Sequence, residues 1–154
     1  MNEYKTGNHG RYLAQYHIIW CPKFRFNVLH GDVQTKLQDI LQTISDRYQY
    51  ELIEQEVMPD HIHVFISAEP TVAPTDMVRT LKSISAIELF KVFPALKKCY
   101  SRSGSLWSQG YFVRTVGTVS AETVQRYIRE QTRPERQTCN AKTTKKTSTP
   151  APNR

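Results

Sequence analysis

The segment MPDHIHVFISA, residues 58–68, constrains the fold more than any other stretch of the chain. Successive side chains of a β-strand point to opposite faces of its sheet. One face of this strand therefore carries only aliphatic side chains, those of Ile62, Val64 and Ile66. Such a strand belongs in a sheet that has one covered face, and its two histidines then lie on the other face.

His61 and His63 are neighbours on that second face, about 7 Å apart at the Cα atoms for a rise of about 3.3 Å per residue. Two imidazoles at this distance can converge on a single cation. They are equally compatible with half-buried histidines whose hydrogen bonds are satisfied within the protein, because a bare His-x-His match is only a hypothesis. The strand alone leaves both interpretations open.

Periodic patterns before this strand predict a strand, a helix and a second strand. Residues 11–22 are rich in aromatic and branched side chains and end at a proline, which is typical of a strand. Residues 31–49 carry apolar side chains at helical spacing, and residues 50–58 form the next strand. The turn at Pro59 and Asp60 is short, so this strand and the histidine strand are predicted to form an antiparallel hairpin.

The pattern after the histidine strand predicts a helix, a strand and a last helix. We expect the helix to start near Thr75 and Asp76, which can cap it, and to end at about Phe93. Residues 106–117 then favour one or two short strands around a glycine. A final amphipathic helix begins after Ser120, its predicted N-cap.

The resulting order, β-α-β-β-α-β plus one helix, is the split βαβ arrangement of ferredoxin-like and RRM-like domains, an α+β fold. It consists of one antiparallel sheet with helices on one face. The aliphatic face of the histidine strand would pack against those helices, leaving His61 and His63 on the open face of a central strand. RRM-type modules bind single-stranded nucleic acid on such a face, so the fold alone does not settle the function.

The last predicted helix carries Tyr127 and Gln131, which are four residues apart and share one helical face. A tyrosine beside Val124 and Ile128 on an amphipathic helix is typical of a core residue. Gln131 on the same face favours a different interpretation, since a glutamine carbonyl is an acceptable third metal ligand beside two histidines. It would bring Tyr127 within reach of whatever the metal holds.

Four motifs together resemble the single-tyrosine HUH transposases of small bacterial and archaeal insertion sequences, in the superfamily of REP-associated tyrosine transposases. HUH denotes His, hydrophobic residue, His. The motifs are YHIIWCPKFR, MPDHIHVFI, LWSQGYFVRTVG and VQRYIREQ, and the resemblance spans roughly residues 12–131. Jointly they are far more specific than the histidine pair alone.

The resemblance implies a transposase that cleaves and rejoins single-stranded DNA through a 5′-phosphotyrosine intermediate. Matched position by position, Tyr127 is the nucleophile, and His61, His63 and Gln131 hold a divalent metal. The implied cofactor is Mg²⁺ or Mn²⁺. The implied partners are hairpin-containing DNA at the element ends and a second copy of the chain, in a homodimer whose active sites are shared between protomers.

The net charge of +7 is concentrated at the C-terminal end of the chain. Residues 132–154 contain six Lys or Arg against one Glu, a net charge of +5, with many Thr and Pro and almost no large apolar residues. We therefore predict a catalytic domain over residues 1–131 and a disordered basic tail over residues 132–154. The tail could bind phosphate backbones or only increase solubility.

Composition also indicates a cytoplasmic protein. The chain has three cysteines without CxxC spacing, which argues against a disulfide framework and a thiolate zinc site. No apolar run approaches the roughly 18 residues of a membrane span, and the N-terminus lacks the apolar region of a secretory signal.

Basic and aromatic side chains outside the tail are the candidates for DNA contacts. The candidate phosphate contacts are Lys23, Arg25, Arg79, Lys82, Lys97, Lys98, Arg102 and Arg114. The candidate stacking residues are Tyr12, Phe24, Phe26, Trp107 and Tyr111, of which Trp107 is also a typical core residue.

Three alternatives remain open. A domesticated relative would apply the same chemistry to dispersed hairpin repeats. A non-catalytic binding module would bind single strands without metal and without a covalent adduct. A zinc hydrolase built on His61 and His63 is weaker, because no further His, Asp or Glu stands at a convincing ligand spacing, and His17 is interpreted as a core residue.

Overall fold

A four-stranded antiparallel sheet forms one layer of the protein. The computed structural model describes residues 4–7 and 10–116. An N-terminal hairpin comprises Lys5–Gly7 (β1) and Gly10–Tyr12 (β2), and the sheet comprises Gln15–Trp20 (β3), Glu51–Met58 (β4), His61–Ser67 (β5) and Phe112–Thr115 (β6). The strands lie in the order β4-β5-β3-β6, so the histidine strand β5 is internal.

Helices cover one face of this sheet. They are Asp32–Arg47 (α1), Pro74–Val92 (α2) and the short Pro94–Cys99 (α3). α1 connects β3 to β4, and α2 follows β5, so the predicted ferredoxin-like order is confirmed. Within the described part of the chain, no helix combines the length and the apolar character that crossing a membrane requires.

The core lies between the sheet and the two long helices. Ile62, Val64 and Ile66 are fully buried, as the alternation predicts. Burial of each such side chain contributes about 1.5–3 kcal/mol to the free energy of unfolding. Their partners from the helices are the equally buried Leu37 and Leu41 of α1 and Met77, Val78, Leu81 and Leu89 of α2.

The first predicted strand, residues 11–22, is shorter in the structure and is preceded by a separate hairpin. β3 starts only at Gln15, while Tyr12 pairs with Lys5 in the two-stranded sheet. The stop is as predicted, because Pro22 lies two residues beyond Trp20 and cannot donate to a ladder.

The predicted cap of α2 by Thr75 and Asp76 is wrong. The helix begins one residue earlier at Pro74, whose fixed φ suits the first turn and whose missing N–H needs no acceptor. Ala73 is the N-cap. The hydroxyl of Thr75 instead lies 3.1 Å from the Tyr111 hydroxyl.

The region predicted as one or two strands around Gly110 contains one strand, β6. Trp107 makes only an isolated bridge with Pro22 and is a core residue, 4 % exposed, whose indole N–H donates to the Ser85 hydroxyl at 3.1 Å. The predicted last helix and the domain boundary at residue 131 lie outside the described residues.

The turn Lys23–Arg25, just after β3, is strained. Phe24 and Arg25 have φ angles of 65° and 50°, in the left-handed region that non-glycine residues rarely adopt. Such residues cost of the order of 1–3 kcal/mol each, so the surroundings must hold them. The Lys23 N–H donates to the Leu106 carbonyl at 2.8 Å, and the buried Tyr100 hydroxyl donates to the Lys23 carbonyl at 3.2 Å.

Replacing Tyr100 by Phe tests this support. We expect Tyr100→Phe to lower the free energy of unfolding by about 1 kcal/mol at pH 7, because one hydrogen bond is lost while the ring packing stays. Burial raises the pKa of Tyr100 to about 12, above its ordinary value of 10.0. The unfolded chain therefore loses this proton first, and wild type should lose stability as pH rises from about 10 to 12.

Urea unfolding at pH 7 and pH 11 measures both effects. The stability advantage of wild type over Tyr100→Phe should shrink at the higher pH. An advantage that stays constant would show that this hydroxyl is not buried as described.

Candidate metal and nucleic-acid site

The open face of the sheet brings both histidines of β5 together. Their ring centroids lie 5.0 Å apart, and both side chains are half-buried. The strand register places Met58 of β4 opposite His61, and Glu56 of β4 and Ile19 of β3 opposite His63. The prediction that the histidines face away from the helices is thus confirmed.

The imidazole of His61 is held by the residue immediately before it. Its Nδ1 lies 2.6 Å from one carboxylate oxygen of Asp60, whose other oxygen accepts from the Arg25 guanidinium at 3.2 Å. The hydrogen bond with His61 holds the pKa of Asp60 below its ordinary value of 3.8, and the positive charge of Arg25 acts in the same direction. Arg25 belongs to the strained turn, which therefore contacts the edge of the site.

The imidazole of His63 is held by a third histidine. Its Nδ1 lies 3.0 Å from Nε2 of His17 on β3, and the two rings are stacked with centroids 5.1 Å apart. Burial lowers the pKa of His63, and the neighbouring His17 and His61 lower it further, against a smaller effect of Glu56. His63 is therefore neutral at neutral pH, as a metal ligand must be.

The interpretation of His17 as a core residue is wrong. In β3 the core side is taken by Ile18 and Trp20, which are buried, so His17 points to the open face and is half-buried there. The face on which His17 lies follows from the register of β3 against β5, and the periodicity of the sequence alone does not give that register.

The donors present fit a divalent cation only in part. Neutral imidazoles are good ligands for such ions, and the Nδ1 atoms of His61 and His63 are both engaged by neighbours, which leaves their Nε2 atoms to an ion. Among the described residues no group of three His, Cys, Asp or Glu could hold a metal. The two imidazoles leave the remaining coordination positions of an ion to other ligands, and Gln131, like Tyr127, lies outside the described residues.

A shallow cavity of about 240 Å³ borders His17 and His63 on this face. Glu54 and Glu56 of β4 line it beside the imidazoles. The negative charge of Glu56 acts directly on His63, which favours a cation over an anion there.

The comparison with known proteins places the chain among transposases. A family model described as IS200-like transposase matches residues 11–131. The chain belongs to the IS200-like transposase family. Over 129 residues it is 41% identical to the ISDra2 transposase TnpA of Deinococcus radiodurans, covering 84% of this chain and 91% of that one.

Two further relatives agree with that assignment. A transposase of insertion sequence IS200 from Salmonella typhimurium is 31% identical over 131 residues, covering 85% of each chain. A solved structure of a transposase from Deinococcus radiodurans R1 matches with a TM-score of 0.69 at 38% identity, over 82% of this chain and 97% of the other. This IS200-like transposase thus shares both sequence and fold with the family.

The candidate phosphate contacts of the IS200-like transposase fall into separate groups. Lys23 and Arg25 flank the exposed Phe24 in the strained turn. Arg114 of β6 pairs in register with His17, on the open face. Arg79 forms an exposed ion pair with Asp76 at 3.3 Å on α2. Three further candidates for phosphate contacts are exposed on or just after α3, namely Lys97, Lys98 and Arg102.

Among the candidate stacking residues, Phe24 is the most exposed, at 64 %. Phe26 and Tyr111 are also exposed, whereas Tyr12 is half-buried and Trp107 belongs to the core. Phe24 is thus an exposed aromatic ring on the strained turn, between Lys23 and Arg25, and Arg25 contacts the carboxylate beside His61.

Lys82 differs from the other candidate contacts because its ammonium is used inside the protein. It donates to the carbonyl of Ser108 at 2.6 Å and, at 3.4 and 3.3 Å, to those of Gln109 and Gly110. Burial lowers the pKa of Lys82. The geometry favours a role in fixing the loop before β6 over the predicted DNA contact.

The substitution Lys82→Met separates these roles. Methionine retains the packing of the stem but leaves three carbonyls without their donor, so we expect the free energy of unfolding to fall by about 1–3 kcal/mol. Arg79→Met, one turn earlier on α2, removes only an exposed ion pair and should cost less than about 0.5 kcal/mol. Urea unfolding measures both values. If Lys82→Met instead keeps wild-type stability but binds single-stranded DNA more weakly, Lys82 is a DNA contact as predicted from the sequence.

Proposed function

We propose that this transposase cleaves and rejoins single-stranded DNA at the ends of an insertion sequence through a covalent 5′-phosphotyrosine. Tyr127 is the nucleophile, and His61, His63 and Gln131 hold a divalent cation, Mg²⁺ or Mn²⁺. The observation that carries the proposal is the histidine pair on the open sheet face, with both Nδ1 atoms engaged by neighbours and both Nε2 atoms left to an ion.

The metal would be bound mainly for electrostatic reasons. A divalent cation at His61 and His63 would act as a Lewis acid that polarises the scissile phosphate and orients it. Such help matters because the phenol of a tyrosine has an ordinary pKa near 10 and is a weak nucleophile at neutral pH. Imidazole ligands alone favour later transition metals, so the ion used in the cell depends on availability as well as on affinity.

The proposed covalent step is a transesterification. The Tyr127 oxygen forms a bond to the scissile phosphorus, and the bond from that phosphorus to the 3′ oxygen breaks. The phenol proton is lost, and the departing oxygen takes up a proton to leave as a 3′-hydroxyl. Because the phosphodiester is replaced by another phosphoester, a new 3′-hydroxyl can attack the phosphotyrosine, release Tyr127 and rejoin the strand without ATP.

The substrate proposed is single-stranded DNA with hairpins at the element ends. The open face and its edge carry groups that suit a single strand, namely the cations Lys23, Arg25 and Arg114 and the exposed ring of Phe24. Cationic side chains bind phosphates, and aromatic rings stack on unpaired bases.

A homodimer follows from the number of nucleophiles. Excision requires two cleaved ends to be held at once, and one Tyr127 can hold only one of them. We therefore propose a dimer in which two active sites act together, with the helix carrying Tyr127 able to complete the histidine site of the partner.

The covalent intermediate is directly testable. Wild-type protein incubated with Mn²⁺ and single-stranded DNA carrying the element ends should give an adduct that survives SDS. The adduct should be absent from Tyr127→Phe and abolished by EDTA, because both the attacking oxygen and the cation are required. Tyr48→Phe, which alters an exposed tyrosine at the end of α1, should retain it.

Denaturing gels with labelled DNA measure the adduct. Tight binding of the same DNA without an adduct, whatever the metal, would contradict the proposal and favour a non-catalytic single-strand-binding module. An adduct that persists in Tyr127→Phe would show that another residue is the nucleophile.

A further inference from the structure

We propose that Asp60 and His17 are positioning residues that set the ring tautomers of His61 and His63, so that both histidines present an Nε2 lone pair to the cation. This inference rests on the proposed function, in which those two rings are metal ligands. Neither Asp60 nor His17 would touch the ion or the DNA. Each would act through the imidazole that it contacts.

Asp60 fixes His61 in one tautomer. An aspartate carboxyl with an ordinary pKa of about 4 is ionised at neutral pH, and an ionised carboxylate can only accept hydrogen bonds. The Nδ1 of His61, 2.6 Å away, must therefore carry the hydrogen. A neutral imidazole with its hydrogen on Nδ1 has its lone pair on Nε2. Arg25 holds the second carboxylate oxygen at 3.2 Å and so orients the acceptor.

His17 leaves His63 a choice between two arrangements. In a hydrogen bond between two neutral imidazoles, one nitrogen donates and the other accepts. If Nδ1 of His63 donates to Nε2 of His17, the Nε2 of His63 has a lone pair for a metal. If His17 donates instead, the Nε2 of His63 carries a hydrogen and cannot bind an ion. Metal binding therefore selects the first arrangement, with the hydrogen of His17 on its Nδ1.

The two histidines should thus behave differently when metal is added. His61 faces an acceptor that cannot donate, so its tautomer is set before any ion arrives. His63 faces a partner that can do either, so its tautomer should shift on binding. Partners of this kind, which contact a metal-binding histidine through its second nitrogen, commonly change metal affinity by about 10–100-fold when they are removed.

Tautomers are measured directly by ¹⁵N NMR of the histidine side chains in the wild-type protein at pH 7.5, with Zn²⁺ as a diamagnetic probe. In the metal-free protein His61 should have its hydrogen on Nδ1, and Zn²⁺ should leave it there. His63 should be entirely in the same tautomer once Zn²⁺ is bound. Finding the hydrogen on Nε2 of His61 in the metal-free protein would overturn the role of Asp60.

Matched substitutions separate positioning from folding and from charge. Asp60→Ala and His17→Leu remove the acceptors, and each should raise the Mn²⁺ dissociation constant by about 10–100-fold. Asp60→Asn and His17→Gln supply an acceptor oxygen and should recover most of the affinity. Glu54→Gln removes a carboxylate of the same face that lines the cavity beside His63. It should change the Mn²⁺ affinity by less than about threefold, because no ring depends on it for orientation.

Titration of Mn²⁺ by electron paramagnetic resonance gives these constants without DNA or catalysis. If Glu54→Gln and Asp60→Ala weaken Mn²⁺ binding equally, loss of negative charge alone explains the effect, and the proposal is overturned. Wild-type affinity in His17→Leu would overturn the role of His17. If wild type binds neither Mn²⁺ nor Zn²⁺, the proposed function fails, and the tautomer of His61 in the metal-free protein still tests Asp60 independently. The wild-type spectra also keep the test valid if a variant does not fold.

Discussion

The register of β5 between β3 and β4 is the constraint on which the site depends. Burial of Ile62, Val64 and Ile66 against the helices fixes which face of the strand is inside. Because side chains alternate, a slip of one residue would bury the two histidines and expose the aliphatic side chains. The same hydrophobic force that stabilises the core therefore holds His61 and His63 in the open, next to each other and next to the residues that neighbouring strands place opposite them.

Polar contacts then refine what the register provides. The strained turn after β3 is held through the Lys23 carbonyl by the buried Tyr100, and its Arg25 reaches the carboxylate of Asp60. That carboxylate contacts His61, so a chain of hydrogen bonds runs from the core to a candidate ligand. On the other side, His17 reaches His63 from the adjacent strand. Both imidazoles thus have a hydrogen-bonding partner at Nδ1, Asp60 from the β4–β5 turn and His17 from β3, as the ligands of a preorganised metal site commonly do.

The fold was predictable from the sequence because its signals are local. Alternation identified β5, and helical spacing placed α1 and α2 to within a few residues. The cap of α2 was not predictable in the same way, since Thr75, Asp76 and Pro74 all favour a helix start, and the proline occupies the first helical position. The role of Thr75 in contacting Tyr111 depends on a residue far along the chain.

The histidine pair was found from the sequence, whereas its supports were missed. The sequence could not show that His17 lies on the open face. Its side depends on the register of β3 against β5, which is a long-range property. Asp60 was interpreted only as a turn residue, although its position directly before His61 was a visible signal. The sequence does not distinguish Lys82 from a surface cation, because the carbonyls that accept its hydrogen bonds belong to the distant loop before β6. Tyr127 and Gln131 stay predictions, since they lie outside the described residues.

The proposed site has His61 and His63 binding one cation through their Nε2 atoms. The most direct measurement is an anomalous difference map from crystals soaked in Mn²⁺. We expect one strong peak on the open sheet face, within ligand distance of Nε2 of both histidines, with their Nδ1 atoms still facing Asp60 and His17. No peak at the histidines after soaking in Mn²⁺, or a peak within ligand distance of an Nδ1 atom instead, would contradict the proposed site.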